Sequence, residues 1–296
     1  MGKIKTLGSI SVIAILLFVC SGLVFGQNAI TGEWTAEAKK EKGDKIHLSF
    51  NRRSENGGKN QHGSTFESKD LQGLSETSNG PVSFRLVREA GTIECEGTFV
   101  NGRGSGTFKF VPNMGFVDAM RSRGFEMDSP RSKGGHDSLE ERLFVATTLN
   151  VTSALADDLR SANFPNLGFE DLVKASIFKV DGKFMAEMKA TGFPNLGMED
   201  LVKARIFKID ADFVRKTREM GFGTDSFENL VKFSIFKVTP EFLSELKAEG
   251  LTDLNSEDVV KLRIFKIDAA YVREARATEP NITVEQLVQK RIGVRR

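Results

Sequence analysis

The sequence predicts an α+β chain in two parts, a small antiparallel β-barrel or sandwich followed by an α-helical repeat array of helix pairs. Three observations lead there. Apolar residues alternate with a period of two from Ala29 to about Pro112, the period turns helical past Pro112-Asn113, and from Thr152 to Arg296 one short motif is written five times. The expected divisions are a leader over 1–26, a β-domain over 27–113, a first divergent helical repeat over 114–151 with an inserted loop at 126–137, and tandem repeats over 152–296.

The leader is read from Lys3 and Lys5, the apolar run Ile10 to Val19, and Val24-Phe25-Gly26, which places tolerated residues where a signal peptidase cuts before Gln27. An uncleaved anchor is the alternative, and in that case the membrane is met only through the leader; the run is short for a span of about 20 residues. Cys20 would suit a lipoprotein, but Val19 stands where a lipobox wants a small residue. Export predicts an extracytoplasmic protein, periplasmic or secreted. Losing Lys3 and Lys5 leaves 40 basic against 40 acidic residues, a balance that argues against a nucleic-acid partner. Only Cys95 remains, so no intrachain disulfide is expected. In Ile93-Glu-Cys-Glu-Gly-Thr-Phe99 the alternation puts that thiol on the apolar face.

In the β-domain, Gly32-Glu-Trp-Thr-Ala-Glu-Ala, Lys45-Ile-His-Leu-Ser-Phe and Pro81-Val-Ser-Phe-Arg-Leu-Val read as strands, with hairpin turns at Asn56-Gly57, Asn79-Gly80 and Asn101-Gly102. Six to eight strands are expected in a meander, with Phe99 near Phe108 and Phe110. Gly32-Glu-Trp34 resembles the start of lipocalin- and avidin-like barrels, which would make Trp34 part of a ligand cup; the plainer reading is a core tryptophan. His47, His62 and His136 lack metal-ligand spacing, and Gly102-Arg-Gly-Ser-Gly lacks the Gly-Lys-Ser/Thr ending of a phosphate loop, so neither metal nor cofactor is expected.

The repeat is built from end signals. Thr152, Asp181, Asp210, Thr239 and Asp268 recur every 29 residues as N-caps of a helix A about ten residues long, stopped by Asn163, Gly192, Gly221 and Gly250. Helix B starts near Gly168, Gly197, Ser226, Asn255 and Thr283, with Glu170, Glu199, Glu228, Glu257 and Glu285 in its first turn. It runs through Ser176-Ile-Phe-Lys-Val, Arg205-Ile-Phe-Lys-Ile, Ser234-Ile-Phe-Lys-Val and Arg263-Ile-Phe-Lys-Ile. For the unit opened by Asp181 the expected core stripe is Phe184, Met185, Met188, Phe193, Leu201, Val202, Ile206 and Phe207. The last unit departs from the pattern, with Glu279-Pro280 and Gly293, as the end of an array should.

Two basic columns follow the period, one of Lys174, Lys203, Lys232 and Lys261, the other of Lys179, Lys208, Lys237 and Lys266. Either is a ladder for an anionic partner, or lysines near helix C-termini that complement the dipole opposite first-turn glutamates. The candidate binding residues are Lys179, Lys208, Lys237, Lys266 and Trp34.

Gly32-Glu-Trp, His62-Gly-Ser, Arg88-Glu-Ala-Gly-Thr-Ile, Gly104-Ser-Gly-Thr-Phe-Lys-Phe and Val238-Thr-Pro-Glu-Phe together resemble a group of exported, mostly uncharacterised bacterial proteins. Similar segments are attached to relatives of antirepressor-type sensor metallopeptidases of the beta-lactam response. The resemblance implies no catalytic residue, because the peptidase motif His-Glu-x-x-His is absent here. Where those relatives carry His-Gly ahead of the cap, this chain carries Phe-Lys, as at Phe207-Lys208, so no role of that His carries over. The Gly-Phe-containing helical pairs also resemble mitochondrial transcription-termination repeats, but export and neutrality count against binding nucleic acid. No nucleophile, acid pair or metal cluster is recognisable, so the sequence predicts a non-enzymatic protein. The array would present a surface to a protein or envelope component. The rival is a small-ligand-binding barrel with the array as support; with 24 Phe but one Trp and one Tyr, few rings suit sugar stacking.

Overall fold

A computed structural model of the chain describes residues 30–38, 44–53, 59–127, 138–163, 167–222 and 226–293. The expected leader, the turn at Asn56-Gly57, and the inserted loop beyond Met127 lie outside the described residues.

Seven strands come first: β1 (Thr31–Ala38), β2 (Lys45–Arg53), β3 (Lys59–Glu67), β4 (Leu71–Gln72), β5 (Gly80–Arg88), β6 (Gly91–Val100) and β7 (Arg103–Pro112). They form one antiparallel sheet in the order β3-β2-β1-β7-β6-β5-β4. The expectation of a closed barrel or a sandwich is corrected: the sheet is an open half-barrel, with β3 and the two-residue β4 at its edges. The hairpin at Asn101-Gly102 forms as read, with φ of 53° and 80°, the left-handed values that a tight turn demands. Its register sets Phe99 opposite Gly104, Cys95 opposite Phe108 and Ile93 opposite Phe110. Phe99 therefore lies over a glycine, four residues along β7 from the nearer of the two phenylalanines expected beside it.

Twelve helices follow among the described residues. The A helices are α1 (Met114–Arg121), α3 (Ser153–Ser161), α5 (Gly182–Ala190), α7 (Ala211–Glu219), α9 (Pro240–Ala248) and α11 (Ala269–Thr278). The B helices are α2 (Leu139–Leu149), α4 (Phe169–Phe178), α6 (Met198–Ile206), α8 (Phe227–Ile235), α10 (Ser256–Ile264) and α12 (Val284–Arg291). Helices of eight to eleven residues are marginal alone, so their stability comes from stacking like on like: α1 on α3 and α3 on α5 in one layer, and α2, α4, α6, α8, α10 and α12 in succession in the other. Each expected N-cap is in place. Thr152, Asp181, Asp210, Thr239 and Asp268 each accept from the amide three residues on, as do Ser226, Asn255 and Thr283.

The sheet and the array share a core. Helix α2 crosses β3, β6 and β7 on the sheet's apolar face. There Phe144, fully buried, stacks on Phe108 at 5.6 Å and meets Phe50 and Phe110 edge-on at 5.8 and 5.4 Å. Arg52 of β2 pairs with Glu141 of α2 and lies 5.6 Å over the same ring. The face that a ligand cup would expose is thus packed by a helix. One apolar cluster runs from Trp34 to Val231, and a second from Phe233 to Val288, with Phe213 against both.

Candidate functional site

The edge where each B helix gives way to the next A helix gathers the repeated motif. Here the structure overturns one part of the core reading. Phe184, Met185, Met188, Leu201 and Val202 are buried, but Ile206 is 52% exposed and Phe207 half-buried. The same holds in the neighbouring units, where Ile177, Ile235 and Ile264 are 46 to 48% exposed. Each of these isoleucines stands at the end of its B helix, Ile206, Ile235 and Ile264 as the last residue and Ile177 as the last but one, where the apolar stripe runs out. What the motif encodes is a helix stop. Lys179, Lys208, Lys237 and Lys266 have φ between 51° and 57°, in the left-handed region. The next residue folds back: Ile209 N donates to Ala204 O at 2.8 Å, Val238 N to Phe233 O at 2.9 Å and Ile267 N to Leu262 O at 2.8 Å. Val180, Ile209, Val238 and Ile267 are buried, the apolar contact that completes this cap. In the first unit Asn150 holds the same conformation at φ 56°, ahead of buried Val151.

The two lysine columns separate at every member but Lys232, which is exposed and makes no ion pair among the described residues. Lys174 pairs with Glu199 of the following unit, Lys203 with Glu228 at 3.1 Å and Lys261 with Glu285 at 3.6 Å. The hydrogen bond to Glu199 raises the Lys174 pKa, and these three lysines join B helix to B helix. Lys179, Lys208, Lys237 and Lys266 are exposed and make no ion pair or hydrogen bond from the ammonium among the described residues.

The orphan carbonyls at these helix ends are satisfied by the next unit. Ser176 Oγ donates to Leu149 O at 2.5 Å, Ser234 Oγ to Phe207 O at 2.5 Å, Arg263 Nε to Phe236 O at 2.8 Å and Arg291 Nε to Phe265 O at 3.3 Å. Ser176, Ser234, Arg263 and Arg291 thus do one job, while Arg205 instead reaches Asp181 at 4.0 Å. The arginines also lie over a ring of the preceding A helix: Arg205 over Phe184 at 3.7 Å, Arg263 over Phe242 at 4.6 Å and Arg291 over Tyr271 at 4.8 Å. At the opposite end of the pair a second ladder caps the A helices. Lys189 Nζ donates to Ala162 O at 2.9 Å, Arg276 to Glu249 O at 2.5 Å, and Arg218 to Thr191 O. Sequence reading missed both ladders. Their trace in the sequence is a donor 26 or 27 residues beyond the helix ends they cap.

Trp34 stands apart from this edge. It has no exposed surface, donates from Nε1 to Glu96 O at 3.1 Å and meets Phe84 edge-on at 5.0 Å. Its indole lies against Gly97 and Gly104, where a Cβ would come within 2.8 and 3.0 Å of the ring. Cys95 is buried with it, and burial raises its thiol pKa. His47 Nδ1 lies 3.3 Å from Thr65 Oγ1, His62 meets Phe144 edge-on at 5.8 Å, and His136 lies outside the described residues. Among the described residues no group of three or more His, Cys, Asp or Glu could hold a metal ion, and no helix is long and apolar enough to cross a membrane. Compared with known proteins, the chain matches no family model, no curated protein and no solved structure.

Proposed function

We propose that the chain is a non-enzymatic, extracytoplasmic interaction protein in which tandem 29-residue helix pairs present the B-to-A edge to a protein partner at the cell envelope. The sheet anchors the first pair through Phe144 and holds the array in place. One observation carries the reading: four exposed lysines occupy left-handed positions that glycine fills more cheaply, and their ammonium groups have no intramolecular partner among the described residues. Beside each stands an isoleucine about half exposed. Neither side chain is needed for the core, and both recur unit after unit. Kinship with the exported bacterial proteins named above belongs to the same proposal.

Photo-crosslinking in cells tests it. A crosslinking residue at position 235, on the edge, captures a protein, and the adduct disappears when the four lysines are changed to glycine. The same probe at exposed Val87 on the sheet captures none. Capture at Val87 alone would move the interaction surface to the sheet and defeat the proposal.

A further inference from the structure

We infer that the partner is an extended acidic polypeptide segment, laid along the B-to-A edge and engaging one unit with every third residue. This rests on the reading of that edge as a protein-binding surface and adds the chemistry of what binds. Charge gives the first argument. The four lysines have unengaged ammonium groups, and the arginines that stack on Phe184, Phe242 and Tyr271 lie along the same edge. Of the acids there, Asp181, Asp210 and Asp268 already accept from Phe184 N at 2.7 Å, Phe213 N at 2.8 Å and Tyr271 N at 2.9 Å. Those carboxylates keep their charge, and Asp181 also faces Arg205 at 4.0 Å; against the three of them stand four lysines and three stacked arginines, so the edge carries a positive excess although the chain as a whole is nearly neutral.

Spacing gives the second argument. Successive B helices pack directly on one another, so equivalent side chains stand about 8–10 Å apart, the ordinary separation of packed helices. An extended chain rises about 3.1–3.4 Å per residue, so three residues span one unit. A helical partner fits less well. Its apolar stripe is roughly 100° wide, whereas the edge offers one half-exposed isoleucine per unit between charged caps.

The test is fluorescence anisotropy of the full chain with labelled synthetic peptides, one built of Leu-Ser-Glu triplets and one of the same composition with its order scrambled. Vesicles of phosphatidylcholine and phosphatidylglycerol serve as the lipid arm. The triplet peptide should bind at least about tenfold tighter than the scrambled one and weaken as salt is raised. Changing Lys179, Lys208, Lys237 and Lys266 to glycine should remove that advantage in a protein that remains folded, because glycine favours the left-handed backbone these positions already hold. Equal binding of the two peptides overturns the inference, as does triplet binding that ignores the lysines, or lysine-dependent binding to vesicles alone. Should the peptides fail while the adduct at position 235 still depends on the lysines, the interaction surface stands and the extended acidic segment is wrong.

Discussion

From α3 to α10 each helix pair turns twice, and the two turns stop the preceding helix with the same left-handed backbone drawn from different residues. Between A and B the residue is Asn163, Gly192, Gly221 or Gly250, with φ of 53°, 87°, 91° and 84°. Between B and A it is Asn150 once and then lysine four times, at φ 51° to 57°. Glycine and asparagine are the residues that enter this region readily, and a lysine there costs about 1 kcal/mol more. The chain therefore uses the cheaper residue at one turn and the dearer one at the other, in the same units and for the same backbone task. That difference supports the proposed role for the lysine side chain.

The A-to-B turn also needs glycine for space. A Cβ at Gly250 would sit 2.2 Å from the Arg276 guanidinium that caps Glu249, and one at Gly192 would sit 2.8 Å from that of Arg218. At Gly221 nothing lies within 4 Å. The A-to-B turn is thus closed around an arginine from the next unit at Gly192 and Gly250 and open at Gly221.

The widest gap should separate the interior of helix B from its exit. Leu201→Ala removes a buried side chain and should lower stability by about 2–5 kcal/mol in urea denaturation. Ile206→Ala, at a half-exposed position five residues on, should lower it by less than about 1 kcal/mol. Equal losses would restore Ile206 to the core and remove the apolar part of the edge. Next come the glycines. Gly221→Ala should cost about 1 kcal/mol from backbone strain alone, and Gly250→Ala about 2 kcal/mol because Arg276 must also leave the carbonyl of Glu249. If the two cost the same, the arginine ladder contributes little. The smallest effect is at the donor ladder of the other turn. Ser234→Ala strips one hydrogen bond from Phe207 O and should cost about 1 kcal/mol, with Ser234→Arg restoring most of it, since Arg263 does the same job one unit later.

How far the fold was legible follows from how local each cause is. An N-cap bonds its own third amide, so Asp181, Thr239 and Asn255 could be placed from sequence alone. The tight turn at Asn101-Gly102 was equally local. Openness of the sheet was not, because closure depends on whether β3 and β4 meet, and on Phe144 reaching the apolar face from a helix outside the sheet. Of the candidate site, the Lys179 column was visible as a period, but its meaning was hidden. Lysine carries no signature of a left-handed backbone, and the pairing that occupies the Lys174 column arises only when units stack. Ile206 was misread into the core because its spacing continues the stripe to the last residue of α6, where the side chain is exposed; Phe207, also expected in that stripe, is half-buried against the core.

The account turns on the lysine caps, and Lys208→Gly examines one of them without touching the core. Its equilibrium stability should rise by about 0.5–1 kcal/mol in urea denaturation, the gain expected when a strained left-handed residue is replaced by glycine. A fall in stability would contradict the account, since it would mean that Lys208 supports the fold and is not kept for a partner.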